Sequence, residues 1–400
     1  MIDELKMLTR KTMKLITGLF IVFLFAVCTV GYGGTLQDAV HDFSEGVAAV
    51  RIGNKYGFID KRGAEVISPQ FDIAYNFSEG LALVKIVDRY GFIDKQGKML
   101  FYVQHFSAAH TFSEGLAAIV MSDNKGSKGF INQRGRISIN RQFLATSFFS
   151  NNLTTVDTGT YNAGKYGFID KQGQLVLIPQ FDVAEDFSEG LAAVRIGDER
   201  TGKFGFIDNS GRMLTGFQFD AVTKFSEGLA AVRFGNEQTG KWGVIDRHGK
   251  LACNPIFDTI GVFSEGLAAA KAGSQYFFIN KQGENPFGLT FVALSNFSEG
   301  RAAVKIRNQF GFIDRNGRMR TGFLFDDAGD FSEGLAFVKV GDTYGFIDKQ
   351  GVMVIPPRFS AARAFSEGLA AVMMSDGNKE VYGFVDKDGR LAITLPSGEL

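Results

Sequence analysis

The strongest constraint on this chain is a four-residue motif, Phe-Ser-Glu-Gly, that returns at a nearly fixed spacing. It is intact at Phe43, Phe77, Phe112, Phe187, Phe225, Phe263, Phe297, Phe331 and Phe365, and a degenerate copy begins at Phe149. Successive copies lie 34, 35, 37, 38, 38, 38, 34, 34 and 34 residues apart. Such a period is typical of repeat proteins, whose units bury their apolar faces by stacking. We therefore predict ten repeats over residues 35–396, followed by a short tail at 397–400.

Each repeat reads as short strands joined by tight turns. Apolar runs such as 191–194 and 204–208 are too short for helices and are bounded by Gly, Asn, Asp or Ser. Together with the run before the proline of the next copy, they predict three strands per repeat. Both faces of these strands carry apolar or small residues, which predicts sheets covered on both sides. The fold class is therefore all-β.

Two recurring segments predict turns. Asp-Lys-Gln-Gly, as at Asp94 and Asp170, is typical of a hairpin whose final Gly takes a positive φ. In Ser-Glu-Gly we expect the serine to bond its own backbone and the glycine to supply the unusual dihedral. The glutamate recurs nine times, more often than one catalytic site requires. We expect it to accept hydrogen bonds from backbone or neighbouring side chains.

The repeats allow two arrangements. Units of 34 to 38 residues with three strands are smaller than ordinary propeller blades, and ten blades exceed the usual number. These points favour an open or spiralling array. However, ten whole units leave almost no residues for the polar end caps that an open array needs. A propeller-like closed ring is the alternative.

Composition excludes some partners and leaves others. The chain has 43 basic and 43 acidic residues, so it lacks the positive field of a nucleic-acid-binding protein. It has 45% hydrophobic residues and 41 Phe, which is typical of a packed protein and not of a disordered one.

The first 34 residues resemble a targeting segment. A basic stretch from Lys6 to Lys14 precedes an apolar run from Leu15 to Val30. We predict a secretory signal peptide, and hence an exported protein in the periplasm, at the cell surface or secreted. The alternatives are an uncleaved N-terminal membrane anchor or a lipid on Cys28, and the membrane would then be reached only through this leader. After cleavage Cys253 remains alone, so no intramolecular disulfide is expected.

The second predicted strand carries an aromatic residue followed by Gly in eight of the ten repeats, and Tyr276-Phe277 lacks the Gly. The copies are Tyr56-Gly57-Phe58-Ile59-Asp60, Tyr90-Gly91, Tyr166-Gly167, Phe204-Gly205, Trp242-Gly243, Phe310-Gly311, Tyr344-Gly345 and Tyr382-Gly383. This pattern resembles the WG-repeat family of mostly bacterial proteins, although only Trp242 keeps the eponymous tryptophan and Lys128-Gly129 lacks the aromatic residue. The resemblance implies a β-rich repeat scaffold, often exported, with suspected binding activity and no general catalytic residues.

No cluster of residues in the sequence indicates catalysis, a metal or a cofactor. The segment Gly235 to Lys241 matches a phosphate-binding loop, but Trp242 stands where Ser or Thr is needed, and a strand follows where a helix is needed. His105 and His110 lie five apart in a strand and turn region, which is a weak metal pattern. We therefore expect no enzyme, no cofactor and no metal.

A basic residue follows the Ala-Val run of the first predicted strand in most repeats. The positions are Arg51, Lys85, Arg195, Arg233, Lys271, Lys305 and Lys339. Stacking would align them into a basic ladder, either paired with neighbouring Asp or turn Glu residues or open to an acidic ligand. The degenerate fourth repeat, 141–164, could form a further unique surface.

These observations predict a non-enzymatic exported scaffold that binds a protein or an envelope ligand through its extended surface. The alternative is a carbohydrate or cell-wall binding module. In that case aromatic residues such as Tyr56, Tyr90, Tyr166, Trp242 and Tyr344 would have to be exposed as stacking platforms.

Overall fold

The computed structural model describes residues 35–103, 106–121, 127–157, 164–376 and 379–395. The leader, with Cys28, and His105 lie outside these ranges, so the predictions made for them are not addressed by the fold. No helix in the described part of the chain is long and apolar enough to cross a membrane.

The predicted all-β array of ten repeats is confirmed. Each repeat is a separate antiparallel sheet of three or four strands, and none of these sheets curls into a barrel. The second strands are Val47–Ile52, Ala82–Ile86, Leu116–Met121, Leu153–Asp157, Leu191–Ile196, Leu229–Phe234, Ala268–Ala272, Arg301–Ile306, Leu335–Val340 and Ala370–Asp376. The third strands are Lys55–Asp60, Arg89–Ile93, Lys128–Asn132, Tyr166–Asp170, Lys203–Asp208, Lys241–Asp246, Gln275–Ile279, Gln309–Asp314, Thr343–Asp348 and Lys379–Val385. The fourth strands are Glu65–Phe71, Met99–Tyr102, Ile137–Phe143, Leu175–Phe181, Leu251–Phe257, Met353–Phe359 and Leu391–Thr394.

The predicted three strands per repeat occur in four of the ten sheets, and the other six sheets have four strands. Sequence reasoning missed a short first strand, which precedes the Phe-Ser-Glu-Gly turn or its degenerate copy in nine repeats. These first strands are Ile73–Ala74, Phe106–Ala109, Ala145–Thr146, Val183–Ala184, Ala221–Val222, Thr259–Ile260, Ala293–Leu294, Asp327–Ala328 and Ala361–Ala362. Most contain only two residues, which is too short to show an alternating pattern. In the first repeat a single bridge from Val40 to Val50 takes this place, after the short helix α1, Leu36–Ala39, which Thr35 caps.

The aromatic-Gly motif is explained by a close approach between the third and fourth strands. A Cβ on Gly167 would lie 2.4 Å from the carbonyl oxygen of Leu177, where the pairing of these strands shifts register. Only glycine fits there. The predicted hairpin glycines are confirmed, for example Gly97 with φ 77°. In the Ser-Glu-Gly turns the glutamate is left-handed as well, as at Glu189 with φ 53°.

The Phe-Ser-Glu-Gly turn joins each repeat to the next one. Ser78 Oγ donates to the carbonyl oxygen of Phe112 (2.9 Å), so the predicted bond of the serine to its own turn is wrong. Glu79 accepts from the N–H of Gly115 at 2.9 Å, which confirms the acceptor role predicted for this glutamate. The turn between the third and fourth strands of the next repeat supplies a second partner. Eight such ion pairs form: Glu45–Lys95, Glu114–Lys171, Glu189–Arg247, Glu227–Lys281, Glu265–Arg315, Glu299–Lys349, Glu333–Lys387 and Glu367–Lys61.

Two junctions depart from this ion pair in an informative way. At one of them Gln133 donates to Glu79 (3.0 Å), so a neutral amide replaces the basic partner. At the junction after the degenerate fourth repeat, Asn151 replaces the glutamate and Asn209 occupies the position of the basic partner. Both members of the pair have therefore changed together at this junction.

Within the described residues, four junctions carry a further connection at the opposite end of the sheets. Asp72 accepts from Lys55 of the preceding repeat (2.6 Å) and from the N–H of Val87 in its own repeat. The equivalent ion pairs are Lys165–Asp182, Lys203–Asp220 and Lys241–Asp258. Each of these junctions is therefore held at both ends of its sheets.

The first and last repeats meet through the same contacts that join successive repeats. Ser366 Oγ donates to the carbonyl oxygen of Phe43 (3.0 Å), and Glu367 accepts from the N–H of Gly46 (3.0 Å) and pairs with Lys61 (2.9 Å). These contacts belong to the second of the two arrangements that the sequence allows, the propeller-like ring. The physical reason is that the apolar faces of the end repeats cover each other, so polar end caps are not needed.

The hydrophobic core lies between the sheets. Each of the ten core clusters of described residues joins two neighbouring repeats, and one of them joins the first repeat to the tenth. In nine junctions the Phe of the turn packs on the third-strand Phe of the preceding repeat. Phe77 lies 5.1 Å from Phe58, and Phe43 lies 4.8 Å from Phe384 across the ends of the chain. Stacking between units therefore supplies the burial that no unit has alone.

Candidate binding rim

The predicted basic ladder lies on the sheets, but its members do not pair as expected. Six of them stand over the aromatic residue opposite them on the third strand of the same repeat. The pairs are Lys85–Tyr90, Arg195–Phe204, Arg233–Trp242, Lys271–Tyr276, Lys305–Phe310 and Lys339–Tyr344, at 4.6 to 5.8 Å from the ring centres. The seventh, Arg51, lies opposite Tyr56 in the strand register.

No ion pair among the described residues joins a ladder residue to a neighbouring Asp or to a turn glutamate, and eight of the turn glutamates pair with the turn residues described above. The ladder side chains are half-buried. The Nε atoms of Arg195 and Arg233 are buried without a hydrogen-bond partner in the described residues. A cation over an aromatic face contributes about 0.5–1 kcal/mol at exposed sites. This placement gives the ladder a structural role, and its role in binding ligands stays a prediction.

The aromatic residues considered as glycan platforms are covered by this arrangement. Trp242 is only 2% exposed, and Tyr56, Tyr90, Tyr166 and Tyr344 are half-buried. They therefore lack the open face that stacking on a sugar requires.

A different set of side chains varies from repeat to repeat. We call the two residues before each Phe-Ser-Glu-Gly turn, and before its degenerate copy, the inner rim. They are His41 and Asp42, Tyr75 and Asn76, His110 and Thr111, Ser147 and Phe148, Glu185 and Asp186, Thr223 and Lys224, Gly261 and Val262, Ser295 and Asn296, Gly329 and Asp330, and Arg363 and Ala364. Sequence reasoning missed them, although variation next to an invariant motif was a signal that could have revealed them.

Contacts between rim residues run from repeat to repeat. Ser147 Oγ donates to Asp186 Oδ2 (2.9 Å), and His41 Nδ1 lies 3.2 Å from Asn76 Oδ1. Across the ends of the chain, Arg363 Nη2 donates to Asp42 Oδ2 (2.7 Å). Side chains as short as Ser and Asp meet here, so the sheets converge at their first strands. The fourth strands, by contrast, carry many exposed large apolar residues. The inner rim therefore faces the inside of the array.

The chemical character of the inner rim changes around the array. Tyr75 is 40% exposed and Phe148 is 44% exposed, and the Phe148 ring packs edge-on against His110 at 5.3 Å. The next two repeats place Glu185, Asp186 and Lys224 on the rim, and Gly261, Val262 and Gly329 follow further on. The rim thus has an aromatic arc, a charged arc and an arc of small residues.

Several rim groups have shifted pKa values with a common cause. Burial raises the pKa of the Glu185 and Asp330 carboxyls, and it also raises the pKa of Asp186 against the hydrogen bond from Ser147. Burial lowers the pKa of His110. These side chains are accessible to water, but protein surrounds them on several sides. This is expected for a concave surface, where partial loss of hydration disfavours the charged form of each group.

A cavity lies at the charged arc. Its volume is about 550 Å³, and its lining includes Glu185, Asp186, Thr223, Lys224 and Val262. It adjoins the degenerate fourth repeat, because Ser150 also lines it. A smaller cavity of about 380 Å³ lies between Asp208, Arg212 and Arg247. Within the described residues no group of three or more His, Cys, Asp or Glu is placed to hold a metal ion.

Comparisons with solved structures find remote similarity. The chain is similar to dipeptidyl peptidase 4 of Porphyromonas gingivalis (9% identity, 92% of this chain and 60% of that chain, TM-score 0.49). It is also similar to the dihydro-heme d1 dehydrogenase NirN (11%, 90% and 74%, 0.42) and to Hsv2p of Kluyveromyces lactis (10%, 68% and 92%, 0.31). The chain spans only 43% and 55% of two further matches, the tricorn protease and the extracellular domain of a two-component system from B. thetaiotaomicron. No curated protein matches the chain.

A family model gives a direct assignment. The WG containing repeat matches nine times, at residues 38–56, 56–88, 90–125, 166–199, 204–237, 242–276, 276–309, 310–344 and 344–378. The unmatched stretch 126–165 holds Lys128-Gly129 and the degenerate fourth repeat. The matches cover well over half of the sequence and have the period of the sheets, so the chain belongs to the WG containing repeat family.

Proposed function

We propose that the chain is a non-enzymatic, exported scaffold that binds a protein or another envelope ligand at its inner rim. The observation that carries this proposal is a division between invariant and variable positions. The Phe, Ser, Glu and Gly of the turns recur because they join repeats, whereas no two repeats carry the same pair of rim residues. A specific partner needs a surface that differs from place to place, and repeat proteins usually carry such a surface on one face of the stack.

The test is site-specific photo-crosslinking in the native host. A photoreactive amino acid replaces Lys224, which is exposed on the rim, or Ile178, which is 68% exposed on an outer fourth strand. We expect a discrete crosslinked partner from position 224 and none from position 178. Equal crosslinking from both positions, or none from the rim, would contradict the proposal.

One observation favours the carbohydrate alternative at a different place from the one predicted. Tyr75 and Phe148 on the inner rim are exposed aromatic side chains of the kind that stack on sugars. Co-sedimentation with purified cell wall tests this alternative, using the variant Tyr75→Ala/Phe148→Ala. Loss of sedimentation in the variant supports the carbohydrate function, and retention by the variant or failure of the unaltered protein rejects it.

Export rests on the leader alone. A mature N-terminus between about Thr29 and Thr35, measured by mass spectrometry of protein from its native host, is expected from cleavage of a signal peptide. An intact leader or a lipid on Cys28 would instead indicate that the protein is attached to a membrane and is not released in soluble form.

A further inference from the structure

We infer that the cavity at the charged arc is a pocket for a basic side chain, arginine or lysine, presented by a partner polypeptide. The inference rests on the proposed function, since it names the chemistry of the ligand at the same rim. The cavity, of about 550 Å³, falls within the range of about 300–1,000 Å³ that is typical of ligand pockets.

The first argument is that the Glu185 carboxylate has no partner within the described residues, and Asp186 has only the hydroxyl of Ser147. Eight of the turn glutamates, in contrast, form ion pairs. A guanidinium or ammonium group would supply the missing charge-assisted hydrogen bonds, which are stronger when water is partly excluded.

The second argument is independent of the carboxylates. Thr223 lines the cavity and is only 4% exposed, and its Oγ1 accepts from the N–H of Ala231 at 2.9 Å. Ser295 occupies the same position two repeats later, but its hydroxyl also donates to the carbonyl oxygen of Asn296. No acceptor for the Thr223 hydroxyl proton is found in the part of the chain that the structure describes. That buried donor fits an acceptor on the ligand, such as a peptide carbonyl.

The third argument is the surroundings of the cavity. Phe148 follows Ser147, the serine that donates to Asp186, and its exposed ring is accessible to a cation although it is not part of the cavity lining. The junction beside it lacks the Glu–Lys pair, because Asn151 and Asn209 stand there. A cationic ligand would therefore meet no competing basic turn residue on this side. Among the residues that line the pocket, Lys224 is the one basic residue.

The experiment titrates the full protein with a defined peptide, acetyl-Gly-Gly-Arg-Gly-Gly-amide, and measures Kd by NMR. The control peptide carries citrulline in place of arginine, which keeps the shape of the side chain and removes its charge. We expect the citrulline peptide to bind at least about 10-fold more weakly, since a charge-assisted pair is lost. Affinity should also fall with added salt.

Protein variants locate the binding. Glu185→Gln and Asp186→Asn should each weaken the arginine peptide by about 10-fold. Asp330→Asn is the matched control, because Asp330 is another rim carboxyl whose pKa is raised by burial, yet it does not line the cavity. Equal binding of the two peptides, absence of binding, or an equal loss in Asp330→Asn would overturn the inference. Crosslinking from position 224 without arginine binding would reject this inference alone, whereas loss of both would reject the proposed function as well.

Discussion

Removing the carboxylate of Glu367 should loosen the contact between the first and last repeats. The carboxylate accepts from the N–H of Gly46 at 3.0 Å and pairs with Lys61 at 2.9 Å. A hydrogen bond to a charged group contributes about 1.5–3 kcal/mol. The ion pair adds no more than about 1 kcal/mol, because its side chains are 44% and 30% exposed. We therefore expect Glu367→Ala to cost roughly 2–3 kcal/mol in the local opening of this junction.

Hydrogen exchange measured by mass spectrometry resolves this opening repeat by repeat. Glu45→Ala is the matched reference, since Glu45 makes the same bonds to Gly80 (3.1 Å) and Lys95 (3.2 Å) at an internal junction. The two variants should increase exchange by similar amounts at their own junctions. If Glu367→Ala left exchange in both end repeats unchanged while Glu45→Ala raised it, the contact between the ends would be refuted.

Three further outcomes follow from the same contacts. Asn151→Glu with Asn209→Lys should restore the missing pair and stabilise that junction by about 1 kcal/mol, and the double variant should exceed the sum of the single ones in urea unfolding. Gly283→Ala should destabilise the protein far more than Gly273→Ala, although both glycines have positive φ. A Cβ at Gly283 would lie 2.1 Å from Cys253 Sγ, whereas a Cβ at Gly273 would meet no atom within 4 Å. Equal losses of thermal stability in the two variants would refute this prediction. Burial raises the pKa of several turn glutamates, but hydrogen bonds from lysine and backbone N–H outweigh it and hold the folded-state pKa below 4.5. The stabilisation by these carboxylates should therefore be present above pH 4.5 and be lost as the pH falls through their folded-state pKa values. Acid unfolding midpoints that do not move when these residues are replaced by Gln would contradict this prediction.

The repeat, the strands and the turns could be predicted from the sequence because they depend on local chemistry that recurs. The Gly of Asp-Lys-Gln-Gly and the apolar second strand need only the neighbouring residues to be interpreted. The two-residue first strand was missed because it shows no periodicity, and the partner of Ser78 was missed because it lies one repeat away. The basic residues of the ladder contact aromatic residues of their own repeat, which lie opposite them on the next strand, and this cross-strand register is not visible in the sequence.

The candidate site was harder to predict than the fold. Glu185, Asp186 and Lys224 look like ordinary surface residues in the sequence, and only the convergence of the sheets brings them to one concave surface. The position of the rim was nevertheless visible as variation beside an invariant turn. The order of the repeats, however, does not show whether the end repeats meet, since an open array and a ring have the same local sequence.

The most direct test of the architecture is a set of distances between spin labels at equivalent turn positions. Arg62, His248, Gln350 and Asp388 are exposed and occupy the same place in the first, sixth, ninth and tenth repeats. The contacts between the ends predict that the 62–388 distance equals the 350–388 distance of two neighbours, and that both are shorter than the 62–248 distance. A 62–388 distance that is the longest of the three would contradict the meeting of the first and last repeats, and with it the enclosed inner rim.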